Sequence, residues 1–382
     1  MRVIVFCHSL ASDWNHGNAH FLRGVARELR TRGHEVASWE PADAWSAANL
    51  VAERGPEALE GWLRAYPALA DVRHVYAAGG PDDAALDAAL DGADLVLVHE
   101  WNDPALVARL GARRRAGAPW RLLFHDTHHR SVTERTAMDA YDLSDYDGVL
   151  AFGDAVREVY LREGWASRAW TWHEAADHRV FHPIPGAPCE GDLVWIGNWG
   201  DDERSEELRE FLIEPVRDLG LRARIHGVRY PEHARAALAD AGIAYAGWLP
   251  NHEAPQAFAR FPATVHVPRR PYVRALPGVP TIRVFEALAC GIPLVSAPWD
   301  DVEGLFAPGE DFLVARDGAA MRRHLRALLA DHDMAAALAA RGRATVLARH
   351  TCAHRVDELL DVARALGVET EPAALTATHS PA

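Results

Sequence analysis

The sequence predicts an α/β protein of two open domains, each a parallel sheet covered by helices, facing each other across a cleft. Three observations lead there. Short, nearly continuous apolar runs of strand length recur along the chain: VIVF at 3–6, DLVLVH at 94–99, RLLFH at 121–125 and DGVLAF at 147–152. Stretches of helical period separate them, and buried strands alternating with helices mean a parallel sheet covered on both faces. Finally, HPIPGAPCEG at 182–191 has no period and is rich in Pro and Gly, after which the alternation starts afresh.

In order, the first strand leads to a helix at 19–32, where Phe21, Leu22, Val25 and Leu29 share one face and Gly33 supplies the stop. EVASWE then reads as the second strand. The second series opens at DLVWIG (192–197). It runs through a helix around 205–219, ARIHGV, a helix near 232–241, AYAGWL, ATVHVP, a helix at 281–290, PLVSAP and a helix around 318–330. A closing helix at about 353–366 follows. The expected domains are therefore 1–186 and 187–350, with 351–367 packing back toward the first and 368–382 an unstructured tail. Open α/β domains bind ligands at the carboxyl ends of their strands, so the cleft is the expected site.

Composition narrows the function. The 382 residues carry 40 Lys+Arg against 54 Asp+Glu, a formal net charge of −14. Nucleic acid or an anionic membrane as main partner is disfavoured, because both require a basic footprint, although a small basic pocket remains possible. Four cysteines (Cys7, Cys189, Cys290, Cys352) form no CxxC pair, so neither a disulfide framework nor a thiolate zinc site is expected. The N-terminus enters a strand pattern without a signal-peptide region, and no apolar stretch is long enough to span a bilayer. A cytoplasmic location is the expectation.

Four motifs carry the chemistry. HSLASDWNHGNAHFLRGVARELRTRGHEV (8–36) places a polar loop with Gly17 between a strand and a helix start, an anion-binding arrangement that lacks GxGxxG. LLFHDTHHRSVTE (122–134) ends a strand in His125-Asp126 and continues into His128-His129. It reads as a loop contacting substrate, with a metal centre or a solvated loop as alternatives. WIGNWGDDERSEELREFL (195–212) sets Gly197, Asn198 and Gly200 ahead of Arg204 at a helix start, where a guanidinium can clamp phosphate or simply pair with the adjacent acids. PGVPTIRVFEALACGIPLVSAP (277–298) opens a helix at Thr281-Ile282-Arg283. It contains one acid, Glu286, which either faces water or is buried with hydrogen-bonding partners such as sugar hydroxyls. Asp145 and Asp147 have DxD spacing but precede a strand, so they read as turn residues.

In this order the motifs resemble those of GT-B glycosyltransferases, and within them the CgeB-like (spore-maturation type) enzymes related to glycosyltransferase family 4. The resemblance covers most of 1–367, and its most specific blocks are TIRVFEALACGIPLVSAP and RHTCAHRVDELL (349–360). It implies two Rossmann-like domains, with a nucleotide sugar bound mainly to the second and the acceptor on the first. Glu286 matches the second Glu of the family's EX7E motif, which contacts the donor ribose, while Gly278 stands where the first would be. By the same resemblance Arg204, with Gly197 and Asn198, meets the diphosphate, aided by Thr281, Ile282 and Arg283. His125 touches the transferred sugar, and Gly17 lies near the phosphates or acceptor. The implied reaction retains anomeric configuration and needs neither metal nor cofactor; for an inverting enzyme His125 or Asp126 is the expected base. The acceptor is a small molecule, glycan or protein. A nucleotide-sugar epimerase and a non-catalytic nucleotide-sugar-binding protein are the competing readings.

Overall fold

The computed structural model describes residues 1–200 and 202–371, so the expected tail lies outside the described residues from 372 onward. It contains two fully parallel sheets. The first is built from β1 (Arg2–Phe6), β2 (Glu35–Pro41), β3 (Arg73–Tyr76), β4 (Leu95–His99), β5 (Arg121–Asp126), β6 (Gly148–Ala151) and β7 (Ala169–Thr171), in the order β3-β2-β1-β4-β5-β6-β7. The second comprises β8 (Leu193–Ile196), β9 (Ala223–His226), β10 (Ala244–Tyr245), β11 (Thr264–His266), β12 (Leu294–Ser296) and β13 (Leu313–Val314), in the order β10-β9-β8-β11-β12-β13. No helix or strand occupies 182–191. The α/β class with two facing parallel sheets is therefore observed.

The central strands are apolar on both faces because helices cover both. Val3, Ile4, Phe6, Leu95, Val96 and Val98 have no accessible surface. The helix Asn18–Thr31 buries Phe21, Leu22, Val25 and Leu29, the face its period predicts, and Gly33 follows it at a φ of 82°, a conformation that costs glycine little. Among the described residues no helix is long and apolar enough to cross a membrane.

The closing helix, Cys352–Ala365, returns to the first sheet's side and packs on Asn18–Thr31. The buried Trp172 indole donates to the carbonyl of Arg355 at 2.8 Å, and Arg355 in turn reaches His350 Nδ1 at 2.9 Å. The two helices approach closely at Gly24, where an added Cβ would lie 2.5 Å from Cys352 Sγ and 3.0 Å from Asp177 Cβ. An exposed helical glycine gains about 1 kcal/mol on replacement by alanine. Here overpacking costs about 1–3 kcal/mol and outweighs that gain. Gly24→Ala is thus expected to lower the denaturation midpoint, and a midpoint at or above wild type would deny the close approach.

Candidate functional site

In each sheet the chain grows first to one side of its opening strand and then to the other. β1 lies between β2 and β4, and β8 between β9 and β11. At such a switch point the loops after neighbouring strands part to opposite faces and leave a crevice at their carboxyl ends. The two crevices of this chain meet in one cavity of about 570 Å³. Its first wall comes from loops after β1 (Asn15 to Asn18), β4 (Trp101) and β5 (Thr127 to His129), with Trp45 and Glu174. The opposite wall comes from Gly197, Asn198, Glu203 and Arg204 after β8, Arg269 and Tyr272 after β11, and Thr281 to Arg283. A small extension of about 80 Å³ runs between Gly227, Trp248 and Asn251.

Arg204 is the unusual cation in this cavity. Its Nη1 donates to the carbonyl of Val267 at 2.8 Å and its Nη2 to that of Asn198, while its Nε is buried without a partner. The alternative reading, pairing with adjacent acids, does not hold. Glu203 goes to Arg269 at 3.2 Å and Glu207 to Arg270 at 2.8 Å, and Arg204 meets no carboxylate among the described residues. Burial, reinforced by nearby Arg269, lowers its pKa to about 9, so it remains a cation at neutral pH. The chain contains no lysine, so any side-chain cation meeting a phosphate here is an arginine or a protonated histidine. A buried, uncompensated cation on a ligand cavity is a site awaiting an anion.

The glycine loop is built for close contacts. An added Cβ on Gly197 would sit 2.6 Å from the Trp195 ring, and one on Gly227 would sit 2.0 Å from the Gly197 carbonyl oxygen. Asn198 joins the two walls: its Nδ2 donates to Asn15 Oδ1 at 2.6 Å and its Oδ1 accepts from Val228 N at 2.9 Å. Gly17 heads the first helix with ordinary φ and ψ and faces Ile282 across the cavity. Thr281 heads the Ile282–Ala289 helix, but its hydroxyl contacts His266 Nε2 at 3.2 Å instead of capping. Gly17, Gly197, Asn198, Arg204, Thr281, Ile282 and Arg283 thus share one cavity.

Three expected residues do not reach it. His125 is buried among Phe21, His99 and Trp172, with ring centroids 6.0, 5.4 and 4.8 Å away, and burial pushes its imidazole pKa down to about 3. Asp126 is buried as well; Tyr160 Oη donates to it at 2.7 Å and His128 N at 2.9 Å, and burial raises its pKa. Neither lines the cavity in this structure, a correction to where the sequence reading put them. The β5 strand runs through both residues, and only the next ones, Thr127 to His129, enter the cavity wall. Glu286 is also corrected. It is 0% exposed, lies one helical turn below the cavity, and is taken up by protein groups: His20 Nδ1 at 2.5 Å, Arg283 Nη1 at 2.5 Å and Asn251 Nδ2 at 3.4 Å. In this arrangement its carboxylate has no accessible surface and does not line the cavity.

Among the described residues no group of three or more His, Cys, Asp or Glu side chains is placed to hold a metal ion. Asp147 binds Arg114 through both oxygens and caps Leu122 N, and Asp145 pairs with Arg115 at 3.2 Å. They close a turn at the amino end of β6, away from the cleft. A second groove, about 580 Å³, is lined by Arg64, Arg179, Arg224 and Arg260. Each already meets a carboxylate: Glu253, Glu28 with Asp177, and Glu190 twice. It therefore has no unanswered charge, and the cavity at Arg204 is the better ligand site.

Residues the sequence reading missed include Trp45, Trp101, Arg269, Tyr272 and Glu174. Arg269 was within reach, since it directly follows the run ATVHVP and so stands at a strand's carboxyl end.

Comparison with known proteins agrees with this geometry. Residues 204–361 match the model of a family described as glycosyl transferase-like. No curated protein matches the chain by sequence. Among solved structures, sucrose-phosphate synthase from Thermosynechococcus elongatus aligns at 14% identity over 96% of this chain and 99% of its own, with a TM-score of 0.65. HepE from Anabaena in complex with UDP and glucose aligns at 14% identity over 96% and 100%, TM-score 0.64. An α-glucosyltransferase in complex with UDP aligns at 11% identity over 95% and 100%, TM-score 0.68. Residues 204–361 are thus similar to a glycosyl transferase-like family, and the fold of the chain is that of GT-B glycosyltransferases.

Proposed function

We propose that the protein transfers a sugar from a nucleotide-sugar donor to an acceptor hydroxyl, without a metal ion and with retention of anomeric configuration, as a relative of the CgeB-like enzymes. The observation that carries the donor reading is Arg204, a buried cation that meets no carboxylate among the described residues, at the mouth of the Gly197–Gly200 loop. It would grip the diphosphate together with Arg269 and Arg283, and would stabilise the charge that develops as the glycosyl–phosphate bond breaks. Two of the compared structures hold UDP, which makes a uridine nucleotide the first donor to test. The extension by Gly227 and Trp248 is the space for the base. The acceptor would enter over Trp45 and Trp101 on the first wall, and holding both substrates in one cavity supplies proximity.

The test is incubation of purified protein with UDP-sugars, with and without an acceptor panel, in excess chelator. Transfer, or slow donor hydrolysis, that survives the chelator is expected. An isomerised nucleotide sugar from donor alone would identify an epimerase. Donor binding with neither transfer nor hydrolysis would identify a binding protein. Activity abolished by chelation and restored by a divalent ion would remove the metal-independent reading.

A further inference from the structure

Glu174 stands just after β7, where the chain leaves the first sheet, and forms part of the cavity wall although it is only 7% exposed. Its carboxyl faces the backbone N–H of Ile282 at the start of the opposing helix. It forms no ion pair with any Arg or His among the described residues. The charges that face it come from three elements. On the Ile282 helix are Glu286 and Arg283, which are paired with each other at 2.5 Å. Tyr272 lies on the segment after β11. On the closing helix Arg355 reaches only the main-chain carbonyl of Glu174, at 3.4 Å. Its own neighbour His173 is bound to Glu303 at 2.7 Å.

A carboxyl buried with a like charge nearby and no cation of its own is costly when ionised. An anionic ligand group against it would add to that cost. A hydroxyl would not, because it can both accept from and donate to a neutral carboxyl. The cavity therefore separates two chemistries: arginines after β8 and β11 for the anionic part of a ligand, and Glu174 for an uncharged, hydroxyl-bearing part.

We propose that Glu174 binds the sugar moiety of the donor through hydrogen bonds to its hydroxyls, fixing that sugar against the start of the Ile282 helix. The assignment rests on the donor reading above and makes Glu174 a specificity-determining residue. Burial, aided by Glu286, raises its pKa to about 8, with the Ile282 N–H and Arg283 pulling the other way, so the group is largely neutral at pH 7 and able to donate. Above that pH it ionises and loses its donor.

The experiment is calorimetric titration of UDP and UDP-glucose into the full chain, into Glu174→Gln and into Glu174→Ala, at pH 7 and pH 9. Expected at pH 7 is equal UDP binding by all three, with UDP-glucose weakened about tenfold in Glu174→Ala and less than about threefold in Glu174→Gln, whose amide still donates. In wild type the preference for UDP-glucose over UDP should shrink at pH 9; in Glu174→Gln it should not. A raised acid contributes stability that is lost as pH rises through its folded value. Glu174→Gln should therefore also unfold at a higher temperature than wild type at pH 9, which shows that the variant is folded. Equal binding of UDP-glucose by wild type and Glu174→Ala, or parallel losses of UDP and UDP-glucose, overturns the assignment while leaving the donor reading intact. A wild type that binds neither ligand overturns the uridine-nucleotide donor reading, and the assignment with it.

Discussion

Arg204→Ala is expected to weaken binding of a nucleoside diphosphate by about 10- to 100-fold, the worth of hydrogen bonds to a charged group, and binding of the bare nucleoside by less than about threefold. The difference arises because the guanidinium is buried, holds its charge at neutral pH and pairs with no carboxylate among the described residues. The side chain also ties the carbonyls of Asn198 and Val267, which join the loops after β8 and β11. The alanine variant should accordingly unfold at a lower temperature as well. Arg204→Lys separates the two roles. It keeps the charge but lacks the planar fork, so it should recover part of the diphosphate affinity and little of the loop stability. Calorimetry with UDP and uridine reads the first effect, and thermal unfolding the second. Equal losses for UDP and uridine would mean that Arg204 serves the fold alone.

That reading was legible in the sequence because it needs only a strand, a glycine loop and a helix start in succession. The same holds for β1, β4, β5, β8 and β12, whose runs are apolar on both faces. β7 and β13 were missed because three and two residues at sheet edges leave no pattern to read. β3, with the sequence RHVY, is a half-exposed edge strand without an apolar run. The helix His332–Arg349 was passed over because its alanines and scattered arginines give it no pronounced apolar side. The sequence puts His125 and Asp126 at a strand's carboxyl end, yet the strand runs one residue farther than RLLFH, through Asp126, and neither residue enters the cavity wall. Glu174 gave no signal: in HEAAD nothing marks it until the chain crosses from one sheet to the other and sets it against Ile282.

Glu286→Ala is expected to destabilise the folded chain by about 3–5 kcal/mol, the cost of breaking a buried ion pair from one side. The carboxylate has no accessible surface and answers two groups at once: Arg283 from its own helix and His20 from the first helix, each at 2.5 Å. Removing it leaves the half-buried Arg283 guanidinium without its partner and cuts a link between the two halves of the chain. Glu286→Gln keeps the shape and the hydrogen bond from Asn251, and should lose less. The pH dependence is opposite in sign to that of Glu174, because the surroundings differ. Burial acts to raise the pKa of Glu286, but Arg283 and then His20 override it, and the group ends below its ordinary value of 4.5. A lowered acid contributes stability that is present above its unfolded value and is lost as pH falls through the folded one. The stability gap between wild type and Glu286→Gln should therefore be full at pH 6 and narrow below about pH 4.5. Glu174 is present in both proteins, so its own titration is common to them and drops out of the gap to first order. Denaturant unfolding across pH 3–7 reads the gap. If it stays constant, or if Glu286→Gln loses nucleotide affinity with no loss of stability, the carboxylate answers to the ligand and not to His20 and Arg283.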